Sequence, residues 1–192
     1  VGASSSSISV SGGSAIFAAG TSTELASSSR LSVSDGSLHM SGAATVTQSS
    51  MQVSGGSALF DSASQFTLEQ NSQLSVSGGS LSFQQQTQST VELSIVSVSG
   101  GDLLVGGSGT LSVQSSHVAV SDGTMRLESV SNTWLNSTSV TVAGGDLLLH
   151  DGAQFTVLGG TAFTVLEGNA QFDGTVEALF QSSSIAVHGG LV

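Results

Sequence analysis

The sequence predicts an all-β, right-handed parallel β-solenoid, a chain wound into stacked coils of three short strands each. Three observations carry this. Nine valines (Val10, Val33, Val53, Val76, Val98, Val120, Val142, Val165 and Val187) recur at spacings of 23, 20, 23, 22, 22, 22, 23 and 22 residues. A period this regular marks one supersecondary unit stacked many times. Each valine sits in a run of alternating apolar and small polar residues, the period-two pattern of a strand. Most of these runs end in glycine, which reaches backbone angles closed to other residues and forms sharp corners.

Each element follows from the repeat. The first strand and its corner read Ile8-Ser9-Val10-Ser11-Gly12-Gly13, Leu74-Ser75-Val76-Ser77-Gly78-Gly79 or Val140-Thr141-Val142-Ala143-Gly144-Gly145. A second strand follows at once: Ala15-Ile16-Phe17, Leu38-His39-Met40, Leu81-Ser82-Phe83 or Leu103-Leu104-Val105. A polar stretch leads to the third, as in Phe66-Thr67-Leu68, Val91-Glu92-Leu93, Leu111-Ser112-Val113 and Phe155-Thr156-Val157. Three strands in about 22 residues make one coil, and the chain holds eight to nine coils. The valines form one internal column, and Phe17, Met40, Phe60, Phe83, Val105, Leu127, Leu149 and Phe172 form another. The period exceeds the roughly 18 residues of a left-handed hexapeptide helix, and parallel crossovers favour the right hand. At about 4.8 Å per coil the rod is roughly 40 Å long. One coil cannot stand alone. About five inward apolar side chains at roughly 1.5–3 kcal/mol each do not offset the ordering of a whole coil, so stacking supplies the rest.

Composition bounds the function classes. The 192 residues include 25 glycines and no cysteine, proline or tyrosine. So Ser/Gly-rich a chain would read as disordered were its apolar columns not in register. Absence of proline suits a chain that is mostly ladder. Two basic residues face 13 acidic ones, a net charge of −11. Nucleic acid and anionic membrane surfaces are therefore poor partners. No apolar run approaches the ~20 residues of a spanning helix, so no membrane insertion is expected. Residues 1–192 read as a single solenoid. Serine is frequent up to Ser139 and then absent until Ser182, but the period persists, so this is drift within one array. With no starting methionine, no signal peptide and a repeat interrupted at Val192, the chain is expected to be a segment of a longer repetitive protein.

Two outer surfaces are candidates. The middle residue of the second strand should point outward. It reads Ile16, His39, Leu59, Ser82, Leu104, Arg126, Leu148 and Gln171, alternating apolar and polar. Ile16, Leu59, Leu104 and Leu148 thus form a dotted apolar strip spaced about 9.6 Å, suited to docking a neighbouring rod. The corner position alternates partly in step, with Asp35, Asp122 and Glu167 among glycines, which suggests a two-coil unit. The first strand offers a hydroxyl face: Ser9, Ser32, Ser75 and Ser97 in one outward column, and Ser11, Ser34, Ser77 and Ser99 in the next. Ice-binding solenoids present comparable grids, usually of threonine.

Residues able to do chemistry are scattered, and no enzyme activity, cofactor or metal is expected. Asp102 and Asp146 are equivalent positions two coils apart, with Thr124 between. Arg30 and Arg126 fall in different parts of the coil. His39, His117, His150 and His188 never reach metal-ligand spacing and read as solvated. No serine has a histidine and acid at plausible spacing. Gly106-Gly107-Ser108-Gly109-Thr110-Leu111 has threonine where a calcium-binding nonapeptide needs aspartate, and calcium requires six or more oxygen ligands. Asp35, Asp122 and Glu167 read as turn formers. Trp134, the single tryptophan, is expected to be packed rather than to serve as a sugar-stacking platform. Asn136-Ser137-Thr138 satisfies the glycosylation pattern.

Gly12-Gly13-Ser14-Ala15-Ile16-Phe17 and Gly55-Gly56-Ser57-Ala58-Leu59-Phe60 resemble the Gly-Gly-Ala-Ile type repeat of bacterial surface β-helices, such as autotransporter passenger domains and polymorphic outer-membrane proteins. The resemblance spans nearly the whole chain. It implies an extracellular or cell-surface stalk or adhesive fibre without catalysis. Its partners would be other protein chains, through lateral or end-to-end assembly, or a surface or glycan. The alternative expectation is an ice- or polysaccharide-binding module that uses the hydroxyl face.

Overall fold

The computed structural model describes residues 2–4, 7–61, 65–84, 88–107, 110–128, 132–150, 154–173 and 177–188. Among them are 26 strands and no helix. The strands pair in parallel into three sheets running the length of the molecule. The first sheet stacks nine valine strands, from Ser7–Ser11 to Ser184–His188. The second stacks eight short strands, from Ser14–Phe17 to Asn169–Asp173. The third stacks nine, from Gly2–Ser4 to Glu177–Phe180. Every strand pairs with its equivalent one coil away, which makes this a parallel β-solenoid with three strands per coil.

The valine column is in register from Val10 to Val187. Val33, Val53, Val76, Val98, Val142 and Val165 are completely buried. The column from Phe17 to Phe172 is likewise continuous. The third sheet adds Leu25, Val46, Leu68, Val91, Val113, Leu135 and Val157. Beside them runs a column that alternates small and large from Ala44 onward: Thr23, Ala44, Phe66, Ser89, Leu111, Thr133 and Phe155. The described strands thus contribute two inward side chains each, so a coil has six inward positions, five of them apolar where this column holds Thr23, Ser89 or Thr133. Phe66 meets Phe60 edge-on at 5.0 Å between ring centres, and Phe60 stacks on Phe83 of the next coil at 5.0 Å. Such aromatic pairs stabilise beyond the area they bury.

The uneven period has a local cause. The connection from the third sheet to the first takes either two residues (Gln48-Ser49) or three (Gln70-Asn71-Ser72). The connection from the second to the third takes two residues at Ser41-Gly42, but four between Phe60 and Gln65. Both are short between Val33 and Val53, which gives the 20-residue spacing.

Two corners recur along the stack. Between the first and second sheets, Gly12, Asp35, Gly55, Gly78, Gly100, Asp122, Gly144 and Glu167 all take positive φ. The next residue is glycine each time, and these glycines stack. A Cβ on Gly101 would lie 2.5 Å from the Gly79 carbonyl oxygen and 3.0 Å from Val76 Cγ1. The space is taken because that carbonyl accepts the Asp102 N–H of the next coil at 3.0 Å. Between the third and first sheets runs a ladder of buried hydroxyls: Ser29, Ser49, Ser72, Ser94, Ser116, Thr138 and Thr161. The Ser29 N–H donates to Ser49 Oγ at 3.1 Å and the Ser49 N–H to Ser72 Oγ at 3.2 Å. The Ser94 N–H donates to Ser116 Oγ at 3.1 Å and the Thr138 N–H to Thr161 Oγ1 at 3.2 Å. The hydroxyls donate in turn to carbonyls, Ser72 Oγ to Val46 at 3.0 Å and Thr138 Oγ1 to Val113 at 3.1 Å. Buried backbone donors demand such partners.

Candidate functional site

The second sheet brings its alternating column together as the spacing predicts, with Ile16, His39, Leu59, Ser82, Leu104, Arg126, Leu148 and Gln171 opposite one another in turn. Ile16 is 72% exposed, but Leu59, Leu104 and Leu148 are only half-buried. Their polar neighbours are tied down beside them. His39 Nε2 lies 2.8 Å from Asp61 Oδ2, Gln84 Nε2 donates to Ser82 Oγ at 2.8 Å, Arg126 Nη1 donates to Glu128 Oε1 at 3.3 Å, and Gln171 Nε2 donates to Asp173 Oδ2 at 2.8 Å. Leu104 sits in a shallow depression lined also by Ser82, Gln84, Asp102, Thr124 and Arg126. The strip is thus a row of leucines set between polar neighbours, with only Ile16 of the four strongly exposed.

On the first sheet, Ser9 pairs with Ser32, and Ser75 with Ser97, in one outward column. Gln52 separates the two serine pairs, and Ala119 follows Ser97. In the next column Ser11 pairs with Ser34, and Ser77 with Ser99. The second column is broken, because Ser34 bridges to Gly55 instead of Ser54. The break falls where Asp35 takes φ 55° in the corner. Arg30 Nη2 donates to Gln52 Oε1 across this face.

The polar residues meet in small groups. Ser41 is brought beside His39, two residues before it, and Asp61 of the next coil. Ser41 Oγ donates to Asp61 Oδ1 at 2.8 Å and lies 3.5 Å from His39 Nε2. In a Ser–His–acid relay the two ring nitrogens face different partners. Here one nitrogen, Nε2, faces both the Asp61 carboxylate and the Ser41 hydroxyl. His39 thus meets a carboxylate while 40% of its side chain stays exposed, and His150 Nδ1 stands 3.8 Å from Asp173 Oδ2, beyond hydrogen-bond reach. Among the described residues no three of His, Cys, Asp and Glu are placed to hold a metal ion. Asp102 and Asp146 flank Thr124 in register, and Asp146 Oδ1 accepts from Asn169 Nδ2 at 2.8 Å. Ser108 and Gly109 of the glycine-rich stretch lie outside the described residues. The corner acids are turn formers with positive φ, and Asp35 Oδ1 stands 2.8 Å from where a Cβ on Gly55 would be.

Two expectations are overturned. Trp134 is not packed; it is 58% exposed on the outer face of the third sheet. Strand alternation is the reason, since Thr133 and Leu135 take the two inward positions and leave Trp134 outward. Asn136 of the glycosylation pattern is exposed two residues along the same strand, while the Thr138 hydroxyl is buried in the corner ladder. Leu93, read as the end of a third strand Val91-Glu92-Leu93, lies instead in the corner after Gln88–Glu92, because Ser89 and Val91 take the two inward positions; it is 53% exposed, and Ile95, which the sequence reading passed over, is 46% exposed. Leu93 is the one apolar non-glycine residue with positive φ among the described residues. Its signal was the apolar side chain at a corner position that is polar or glycine in the other coils.

No family model, no curated protein and no solved structure matches this chain. Among the described residues, no helix is long and apolar enough to cross a membrane. The class established is the fold: a parallel β-solenoid of tandem coils.

Proposed function

We propose that the chain is a non-catalytic structural or adhesive rod segment of an extracellular or cell-surface protein, of the kind built by autotransporter passengers and related adhesins. The observation that carries this reading is the unbroken register of three parallel sheets around a side-chain-filled core. That construction yields a stiff rod whose coils contact only their neighbours. The net charge of −11 supports the reading too, because it holds parallel rods apart until a partner or a change of pH offsets it. Negative-stain microscopy and sedimentation velocity test it across a pH series. Elongated particles that associate as their negative charge is titrated away are expected. Compact particles, or rods that neither associate nor adhere to any surface at any pH, overturn it.

A second reading assigns ice or polysaccharide binding to the first-sheet hydroxyls. The paired serines Ser9–Ser32 and Ser75–Ser97 favour it, and Gln52 and Ala119 interrupt it. Thermal hysteresis of a concentrated solution decides the ice arm.

A further inference from the structure

We propose that the outer face of the third sheet around Trp134 binds an uncharged polysaccharide strand, with the indole stacked on a sugar ring. The outward middle column of this sheet reads Glu24, Thr45, Thr67, Thr90, Ser112, Trp134, Thr156 and Leu179, each opposite the next. Trp134 therefore stands in a straight row of hydroxyls that follows the rod axis. An indole left 58% in water carries a large apolar area that its own fold does not use.

What surrounds it narrows the partner. Ser112 and Thr156 lie directly opposite on the adjacent coils, with Gln114 and Asn136 in the next outward column. Ser112, Gln114 and Asn136 are exposed. These groups donate and accept hydrogen bonds without charge. A pyranose ring presents the same pairing, an apolar C–H face edged by hydroxyls. Both arginines lie on other sheets, Arg30 on the first and Arg126 on the second, while Glu24, Glu69 and Glu92 share this face. An anionic polymer would find repulsion and no guanidinium to offset it. A protein partner would want an apolar core around the indole. Here hydroxyls and amides predominate around it, Leu158 opposite Asn136 being half-buried, and the next large exposed apolar residue of the column, Leu179, is two coils away.

The test is direct because the chain holds one tryptophan and no tyrosine, so its emission reports this site alone. Soluble β-glucan, xylan and mannan serve as neutral probes, and polygalacturonate as the anionic one. At least one neutral polymer should shift the emission saturably to the blue. Affinity electrophoresis should then show Trp134→Ala weakening binding about tenfold or more, and Trp134→Phe keeping most of it, with unchanged circular dichroism for both. Emission unmoved by all three neutral polymers overturns the proposal. So does binding that survives Trp134→Ala, binding of polygalacturonate, or a shift that follows protein concentration without polymer. The rod reading rests on microscopy and survives any of these results.

Discussion

The corner that joins the first sheet to the second and the corner that returns from the third to the first both turn on residues with positive φ, yet they satisfy their backbones by opposite means. At the first corner backbone stacks on backbone: the glycine carbonyl of one coil accepts the N–H that opens the second strand of the next, and no side chain fits between. At the other corner side chains intervene, and buried hydroxyls take the N–H groups of the coil below. At its second glycine the first corner is therefore sensitive to any atom added, the other corner to an atom removed. The hydroxyl corner also admits either two or three residues, whereas the glycine corner keeps two in every coil. Insertions in such a rod are absorbed where side chains mediate the stack.

The comparison breaks most visibly at Gly101. Alanine there adds a methyl group 2.5 Å from the Gly79 oxygen and 3.0 Å from Val76 Cγ1, both fixed within the stack. The coils must separate locally, at a cost of about 3 kcal/mol, the upper end for overpacking a fixed interior. In a chain of this length each kcal/mol moves the melting temperature by roughly 2–4 °C. Thermal melting followed by circular dichroism should show a fall of about 10 °C. A fall of less than about 2 °C would mean that the stack gives way more easily than its packing implies.

A smaller loss is expected at Ser72, which accepts the Ser49 N–H at 3.2 Å inside the ladder. Ser72→Ala leaves that donor buried without a partner, at about 1–3 kcal/mol. Ser72→Thr should restore most of the loss, because threonine fills the same rung at Thr138 and Thr161. Hydrogen exchange at the Ser49 amide separates this account from general loosening. The Ala variant should speed exchange there while the amides of the distant Val142 strand, Ser139–Ala143, stay protected.

The register of the first two sheets and both of their inward columns were legible in the chain because period two and period 22 are both side-chain patterns, whereas Leu93 drew the third strand two residues out of step. The ladder was legible too, since Ser or Thr stands two residues before the first inward residue of each valine strand from Leu31 to Ile185. It was overlooked because serine also fills the outer face, so a buried serine and a solvated one read alike. Trp134 was misjudged for a related reason. Aromatic residues elsewhere in the repeat (Phe60, Phe66, Phe83, Phe155) occupy inward positions, and the argument from residue type overrode the argument from parity. His39 and Asp61 lie 22 residues apart, one coil, so their meeting needs the exact register that only the coordinates supply.

The finest prediction concerns which corner glycines are free to change. Asp35, Asp122 and Glu167 never follow one another in successive coils; a glycine always intervenes. The Asp35 carboxylate leans over Gly55, where a Cβ would lie 2.8 Å from Oδ1, and Asp122 leans over Gly144, where the distance would be 3.0 Å. Above Gly78 nothing lies nearer than the Gly55 nitrogen at 4.0 Å. Both Gly55 and Gly78 have positive φ, 78° and 71°, which asparagine tolerates better than other residues. Gly78→Asn should thus cost under about 1 kcal/mol, and Gly55→Asn about 1 kcal/mol more, the excess arising from Asp35 alone. A double-mutant cycle with Asp35→Gly isolates that excess. If Gly55→Asn remains costly when Asp35 is glycine, the alternation of acids along this edge has a cause other than the carboxylate lying over the next coil.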